Sequence, residues 1–598
     1  MQKDNLQKNS SQTFLKGAMI MSVSMIVVKL LGMVFKVMLT RMYTGFGDQF
    51  AGIGTGLLNN AYEVYNPLFT LATAGFPLAV SRLIAESIAQ KRYRDVAQIH
   101  KTSKPFFIAM GSICFVLMVA VSFIYINIIK SPYSIYSMMT LAPSIFFGCL
   151  VSIYRGYYEG QRNMFPTAVS EVVEVGSKVV FGLSLAFLVM KLGMDQLAAH
   201  PTVLFGRTFA FADDAMYTLL AYSVAAAIAG ISIGSILSFL FLKIYYLKRP
   251  FRVSEEYLED SIDARTRRET FNLLLKTAIP IGLAALVMSL SATIDTIVIQ
   301  RVLYGMALNK GEELLAQYDA NQLRSMLPAN PTDDNPITLH TYLIGCYSYA
   351  VTIMQLVTAL TQAFSTSAMP SVTAAYTKGD KNELKKSIET VLKLTMLFTL
   401  PAGLGLFAIP YPIISLLYKG YSAEIGAGVL RVMGISVIFI AVSTPICSML
   451  NGVGRIDLPL KLYSIGMVIK ILINYLFVSV VSINIVGAAL GSLVAYLFVC
   501  VVGMYFLIKK AGVVPDFVST TLKPLIASVV CAATAFIVNW LFRNSRYPSV
   551  ITLVSVVVAA IVYVILLLVL HTFTESDIRM LPKSKNLVTI LAKLHLLG

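Results

Sequence analysis

Fourteen long apolar runs dominate this chain and leave few folds open to it. A hydrocarbon core ~30 Å thick takes about 20 residues of α-helix to cross. Inside it, every backbone polar group must be satisfied within the protein. The runs lie near 14–44, 54–88, 105–129, 135–157, 165–192, 217–245, 271–303, 340–375, 388–410, 426–451, 459–481, 485–508, 521–542 and 549–571. The expected class is an all-α integral membrane protein of about fourteen transmembrane helices. The second and eighth runs exceed a simple span and are expected to bend or project into water. Composition agrees: 13% charged residues, against about 25% in soluble domains, cannot cover a water-facing surface. The N-terminus carries Lys3, Lys8 and Lys16 like a signal peptide, but its apolar run continues to about Leu39. That is beyond the usual ~7–15 residues, with no A-x-A-like cleavage site in place, so a retained first helix is expected.

A net charge of +17 raises the question of nucleic acid, which would require a basic patch on a soluble domain. Here Lys and Arg sit between apolar runs, where anionic lipid headgroups are the natural partner and no nucleic acid is expected. With charges at span ends counted in the adjoining loop, 31 Lys/Arg fall in the termini and even-numbered loops, nine in the odd-numbered loops. The positive-inside bias then predicts an even number of crossings with both termini cytoplasmic. The six cysteines stand singly within apolar runs and read as small core residues, without metal-ligand spacing.

The first and seventh runs align at an offset of 260: Lys16 with Lys276, Arg41 with Arg301, Gly45 with Gly305. Glu159-Gly160 to Pro166 similarly matches Asn451-Gly452 to Pro459 with one inserted residue. Two six-helix lobes of one orientation are expected, 1–255 and 256–515, followed by two extra helices and a tail over 516–598. In such parallel-repeat transporters the substrate site lies between the halves.

An ionisable side chain at bilayer depth costs at least ~2.5–3.5 kcal/mol on insertion scales, so each is a functional candidate. Lys29 and Lys36, seven apart, share nearly one helix face. Such cations suit a diphosphate headgroup. Arg41 and its repeat-mate Arg301 extend the substrate-binding candidates, with interface anchoring as the alternative. Candidates for gating or coupling are Asp295, Arg82, Glu86, Glu174, Lys178, Lys470 and Asn474. Glu174 and Lys178 stand at i,i+4 and could instead form an intrahelical pair. Asp295 occupies the repeat-mate position of Phe35, adjacent to that of Lys36, which suggests alternate pairing with first-helix cations. Glu171 and Arg431 are further charges within apolar runs. Gly32, Gly75 with Pro77, and Pro370 are expected to interrupt their helices.

Two motifs resemble a known family. Thr70-Leu-Ala-Thr-Ala-Gly-Phe-Pro-Leu-Ala-Val-Ser-Arg-Leu-Ile-Ala-Glu86 is similar to the second-helix signature of the SpoVB and YtgP proteins. Arg155-Gly-Tyr-Tyr-Glu-Gly160, followed by Asn163 to Glu171, resembles their fourth-to-fifth connection. These proteins group with the MurJ-type flippases in the multidrug/oligosaccharidyl-lipid/polysaccharide superfamily. The resemblance implies two lobes around a cavity and flipping of lipid II between leaflets of the bacterial plasma membrane. It also implies a groove for the lipid tail at the last two helices. MurJ-type proteins carry Arg-x-x-Gly where this chain has Lys29-Leu30-Leu31-Gly32, and a second Arg where it has Phe35. The family's second-helix Arg, expected near Phe69-Thr70, is missing. Some members hold sodium between the seventh and eleventh helices, where Lys470 would supply a fixed charge instead.

The expected function is therefore transport of a lipid-linked oligosaccharide diphosphate, without catalysis or a cofactor. Candidate driving forces are the membrane potential or a monovalent cation, and the metal question stays open. A cation-coupled drug exporter of the same superfamily is the alternative, though it would favour an acidic, aromatic cavity. For an enzyme, the five histidines are dispersed and Asp-rich metal motifs are missing.

Overall fold

The computed structural model describes residues 14–73, 75–248, 264–328, 331–332, 336–455 and 457–572. Two compact units divide the chain, Met1–Gly345 and Cys346–Gly598.

The first unit opens with α1 (Phe14–Phe46), α2 (Asp48–Thr73), α3 (Gly75–Ala89), α4 (Tyr93–Ile129) and α5 (Ser134–Gly160). Then come α6 (Phe165–Ser177), a π-helical turn at Lys178–Gly182, α7 (Leu183–Ala199), α8 (Ala212–Lys248) and α9 (Arg267–Asn309). Helix α10 (Leu339–Lys378) begins in the first unit and continues into the second. The second unit goes on with α11 (Lys381–Ala408), α12 (Pro410–Leu417), α13 (Tyr421–Gly452), α14 (Asp457–Val478), α15 (Val486–Ala511), α16 (Lys523–Leu541) and α17 (Pro548–Val569). By length and composition, 13 spans among the described residues can cross a membrane; the expected seventh run falls on the 43-residue helix α9, which is not one of the 13. The all-α membrane class is thus observed.

Local signals explain several boundaries. Thr266 and Glu269 form a reciprocal capping box that starts α9. Asp380 caps α11 by accepting from the amides of Asn382 and Glu383. Gly512, left-handed at φ 66°, ends α15. Between α7 and α8 a two-stranded hairpin pairs Val203 with Thr208 and Leu204 with Arg207. Its two-residue loop, Phe205-Gly206, has φ of 44° and 81°, the sign an I′ turn demands at both positions.

The expected break at Gly75 and Pro77 adjoins Ala74, which lies outside the described residues, and the chain is helical on both sides of it. The other expected breaks do not occur: α1 continues through Gly32 and α10 through Pro370. A single proline forfeits one backbone bond, and long flanking helices retain the rest of the ladder.

Outward-facing positions are apolar where lipid is the expected solvent. On α17, Val554, Val557, Ile561, Val564 and Ile565 are all exposed. The same helix turns its small and polar residues inward: Thr552, Ser555, Ala559 and Tyr563 are buried. Tyr563 donates its hydroxyl to the Leu397 carbonyl of α11 at 2.9 Å. Asn539 of α16 donates to Ser555 at 3.0 Å. The two extra helices are thus joined to each other and to α11. All six cysteines are buried and free.

Candidate functional site

The charged residues of the first unit gather where α1, α2 and α6 meet. Helix α6 ends in the π-turn, which packs on α8 with no room for side chains at two glycines. A Cβ on Gly182 would lie 2.6 Å from the Ala227 carbonyl oxygen, and one on Gly230 would lie 2.5 Å from the Gly182 nitrogen. The extra residue of a π-turn rotates the helix beyond it. Lys178, the first residue of that turn, leaves Glu174 and donates to the Tyr62 hydroxyl of α2 at 2.7 Å. Its ammonium lies 4.5 Å from the centroid of the buried Phe35 ring on α1. That is a cation–π contact. Half-buried Lys36 interacts electrostatically with Lys178 and, in the opposite sense, with Glu63. Lys36 therefore lies between a second lysine and a carboxylate.

Glu174 is taken instead by Arg155 of α5, at 2.9 Å, with Ser235 donating to its other oxygen at 3.1 Å. Arg155 also donates to Ser170 at 2.9 Å. The i,i+4 pairing considered for Glu174 and Lys178 therefore does not form, because each finds a better-placed partner on another helix. Glu171 accepts from Ser24 of α1 at 3.0 Å. Arg155 and Glu174 each keep 18% of their side-chain area exposed. Arg155→Gln is expected to destabilise the fold by about 3 kcal/mol, the lower part of the range for breaking a buried pair. Thermal melting in detergent measures this, and an unchanged melting curve would remove the pair from the stability account.

A second cluster joins α3 to the entry of α9. Glu86 lies 3.7 Å from Arg265, and Arg265 also lies 3.7 Å from Asp95. Buried Asp95 accepts from Arg92 at 2.8 Å and from the Arg265 amide at 2.6 Å. Glu86 thus contacts the segment that leads into α9, whereas Arg82 is exposed.

The remaining candidates are dispersed. Lys29, Arg41 and Arg301 are exposed. Asp295 is buried on α9, two residues after Thr293, which donates to the Glu63 carbonyl at 2.8 Å. Both α1 and α9 pack on α2. In the second unit Asn474 is fully buried and Lys470 half-buried on α14. A Cβ at Gly491 would meet the Asn474 side-chain oxygen at 1.9 Å, so only glycine leaves that amide its place. Sequence reasoning missed Tyr62, Glu63, Arg155 and Arg265. Glu63 and Arg155 were detectable as charges inside apolar runs. Nor are the histidines all peripheral. His100 is buried against Tyr154, Tyr157 and Tyr246.

Comparison with known proteins places this geometry in context. The family model described as "Polysaccharide biosynthesis protein" matches residues 14–329, and "Lipid II flippase MurJ" matches 338–559. Lipid II flippase MurJ of Bacillus subtilis (strain 168) is 22% identical over 568 residues, covering 92% of this chain and 94% of the relative. Stage V sporulation protein B of the same organism is 20% identical over 586 residues, covering 96% and 98%. Among solved structures, "Lipid II flippase MurJ, inward closed conformation" superposes with a TM-score of 0.55 at 14% identity, over 92% of this chain and 98% of that one.

Proposed function

This chain belongs to the polysaccharide biosynthesis protein family, as a MurJ- and SpoVB-like member of the multidrug/oligosaccharidyl-lipid/polysaccharide superfamily, and on that premise we propose that it flips lipid II from the cytoplasmic to the outer leaflet by alternating access. The observation that carries the reading is the closeness of two cations, Lys36 and Lys178, where α1, α2 and the π-turn meet. Two cations held close together repel each other, and a diphosphate relieves that repulsion through charge-assisted hydrogen bonds. The resemblance puts a second cation at position 35, where this chain has Phe35. Lys178, over that ring, supplies one from another helix. Lys29, nearer the start of α1 and exposed, would meet the headgroup first, with Arg41 and Arg301 at the far end.

Glu86 with Arg265 serves as a gate contact in this reading, and Asp295 biases the cycle by pairing with first-helix cations in one state. Lys470 and Asn474 are the coupling candidates of the second unit. The membrane potential or a monovalent cation would drive the cycle. The decisive test is complementation of bacterial cells depleted of their lipid II flippase, with the leaflet position of the lipid read directly. Restored growth with lipid II in the outer leaflet supports the reading. Drug export without rescue would transfer the chain to the exporter alternative.

The proposed orientation places both termini in the cytoplasm of a bacterial plasma membrane. Because the native cysteines are buried, single introduced cysteines report cleanly. Arg94→Cys is expected to be protected from a membrane-impermeant maleimide in intact cells, and Lys419→Cys labelled. The reverse pattern would invert the topology. Ser10 and Lys585, the natural terminal probes, lie outside the described residues.

A further inference from the structure

A cavity of about 340 Å³ opens in the second unit, lined by Pro410 and Tyr411 of α12 and by Glu424, Ala427, Gly428 and Arg431 of α13. It lies at the lower end of the ~300–1,000 Å³ range of small-molecule sites. The four α13 residues fall at i, i+3, i+4 and i+7, so they share one helix face. Glu424 and Arg431 are both exposed, and neither has an ion pair or hydrogen bond with another described residue. An exposed guanidinium and an exposed carboxylate on one face of a helix, neither of them paired with a described residue, leave both charges available to a ligand of opposite polarity.

Position along α13 tells which ligand. From Val432 to Leu450 the helix has nineteen uncharged residues. At 1.5 Å each they span about 28 Å, nearly the thickness of the hydrocarbon core. Arg431 therefore sits at one boundary of that core, at the depth of lipid phosphates. Glu424 lies roughly 10 Å nearer the water, seven residues toward the helix start. A zwitterionic phospholipid has the same order, phosphodiester against the hydrocarbon and ammonium farther out. Both leaflets present this same order of phosphodiester and ammonium to the helix. A diphosphate lipid fits worse, since its second phosphate would approach the Glu424 carboxylate.

Gly428 keeps the centre of the face open. A Cβ there would meet only a Val486 methyl, at 3.9 Å, so packing does not require glycine at this position.

We propose that this cavity is a binding site for the headgroup of an aminophospholipid, with the phosphodiester on Arg431 and the primary ammonium on Glu424. The test uses the full chain, purified and delipidated, and measures the first lipid bound by native mass spectrometry. Phosphatidylethanolamine, phosphatidylglycerol and undecaprenyl diphosphate are titrated separately. Wild-type protein is expected to bind phosphatidylethanolamine tightest. Arg431→Gln is expected to weaken it about tenfold by removing a charge-assisted contact. Gly428→Leu fills the cavity, leaves both charges in place, and is expected to weaken it comparably. Equal or tighter wild-type binding of phosphatidylglycerol or the diphosphate lipid would overturn the assignment, and that comparison needs no variant to fold. Undiminished phosphatidylethanolamine binding by either folded variant would overturn it as well.

Discussion

Lys36→Ala is expected to slow flipping of a diphosphate-linked lipid in proteoliposomes by at least about tenfold while leaving the folded yield intact. Both effects come from one arrangement. Lys36 and Lys178 repel each other, while Glu63 attracts Lys36. Removing Lys36 relieves that repulsion, which offsets the loss of its attractive contacts in the empty protein. The bound state loses a cation facing the phosphates. A structural role for Lys36 predicts the opposite: lower yield, and normal transport by whatever folds. Lys178→Ala is expected to act in the same direction, with a larger folding cost, because its contacts with Tyr62 and Phe35 tie α1, α2 and the π-turn together. Normal transport by Lys29→Ala and Lys36→Ala alike would refute the cationic headgroup site.

The second large effect is expected at Gly345. A Cβ there would fall 1.8 Å from the Gly52 carbonyl oxygen, closer than any side-chain shift can relieve. Gly56 repeats the pattern, its Cβ position lying 2.1 Å from the Thr341 carbonyl oxygen. Helix α2 and the first turns of α10 therefore touch backbone to backbone within the first unit. Gly345→Leu should penalise this arrangement by about 3 kcal/mol or more, the upper end for overpacking. A two-state equilibrium would then move by roughly a hundredfold. The readout is thiol reactivity at Thr341→Cys, a position now buried with 2% exposure. Labelling should rise sharply in the Gly345→Leu background. If Thr341→Cys stays protected and melting is unchanged, the close contact has no part in the conformational balance.

Much of the architecture was legible in the chain because a bilayer imposes a one-dimensional rule. Apolar length decides whether a segment crosses, and that length is local. The expected first run, 14–44, is the helix Phe14–Phe46, and the expected eleventh, 459–481, is Asp457–Val478. The motif Arg155 to Gly160 lies at the end of α5 and contributes Arg155 to the Glu174 pair. Breaks were less legible. Glycine and proline weaken a helix by about 1 to 3 kcal/mol in water, yet Gly32 and Pro370 interrupt nothing here. Inside lipid, ending a helix exposes several backbone groups at once, so continuity wins.

Sequence alone determined that Lys36, Glu174, Lys178 and Asp295 are embedded in runs apolar and long enough for a bilayer. Tertiary structure decided whom they meet. Lys178 had Glu174 one turn away and bonds Tyr62 instead, 116 positions distant. Glu86 reaches Arg265 across the chain, and Arg431, read as one more charge within the membrane, faces outward beside a cavity. The physical reason is range. Burial in a bilayer is set by the neighbours in sequence, whereas a buried charge is stabilised by whichever partner the packing of other helices brings within about 3 Å.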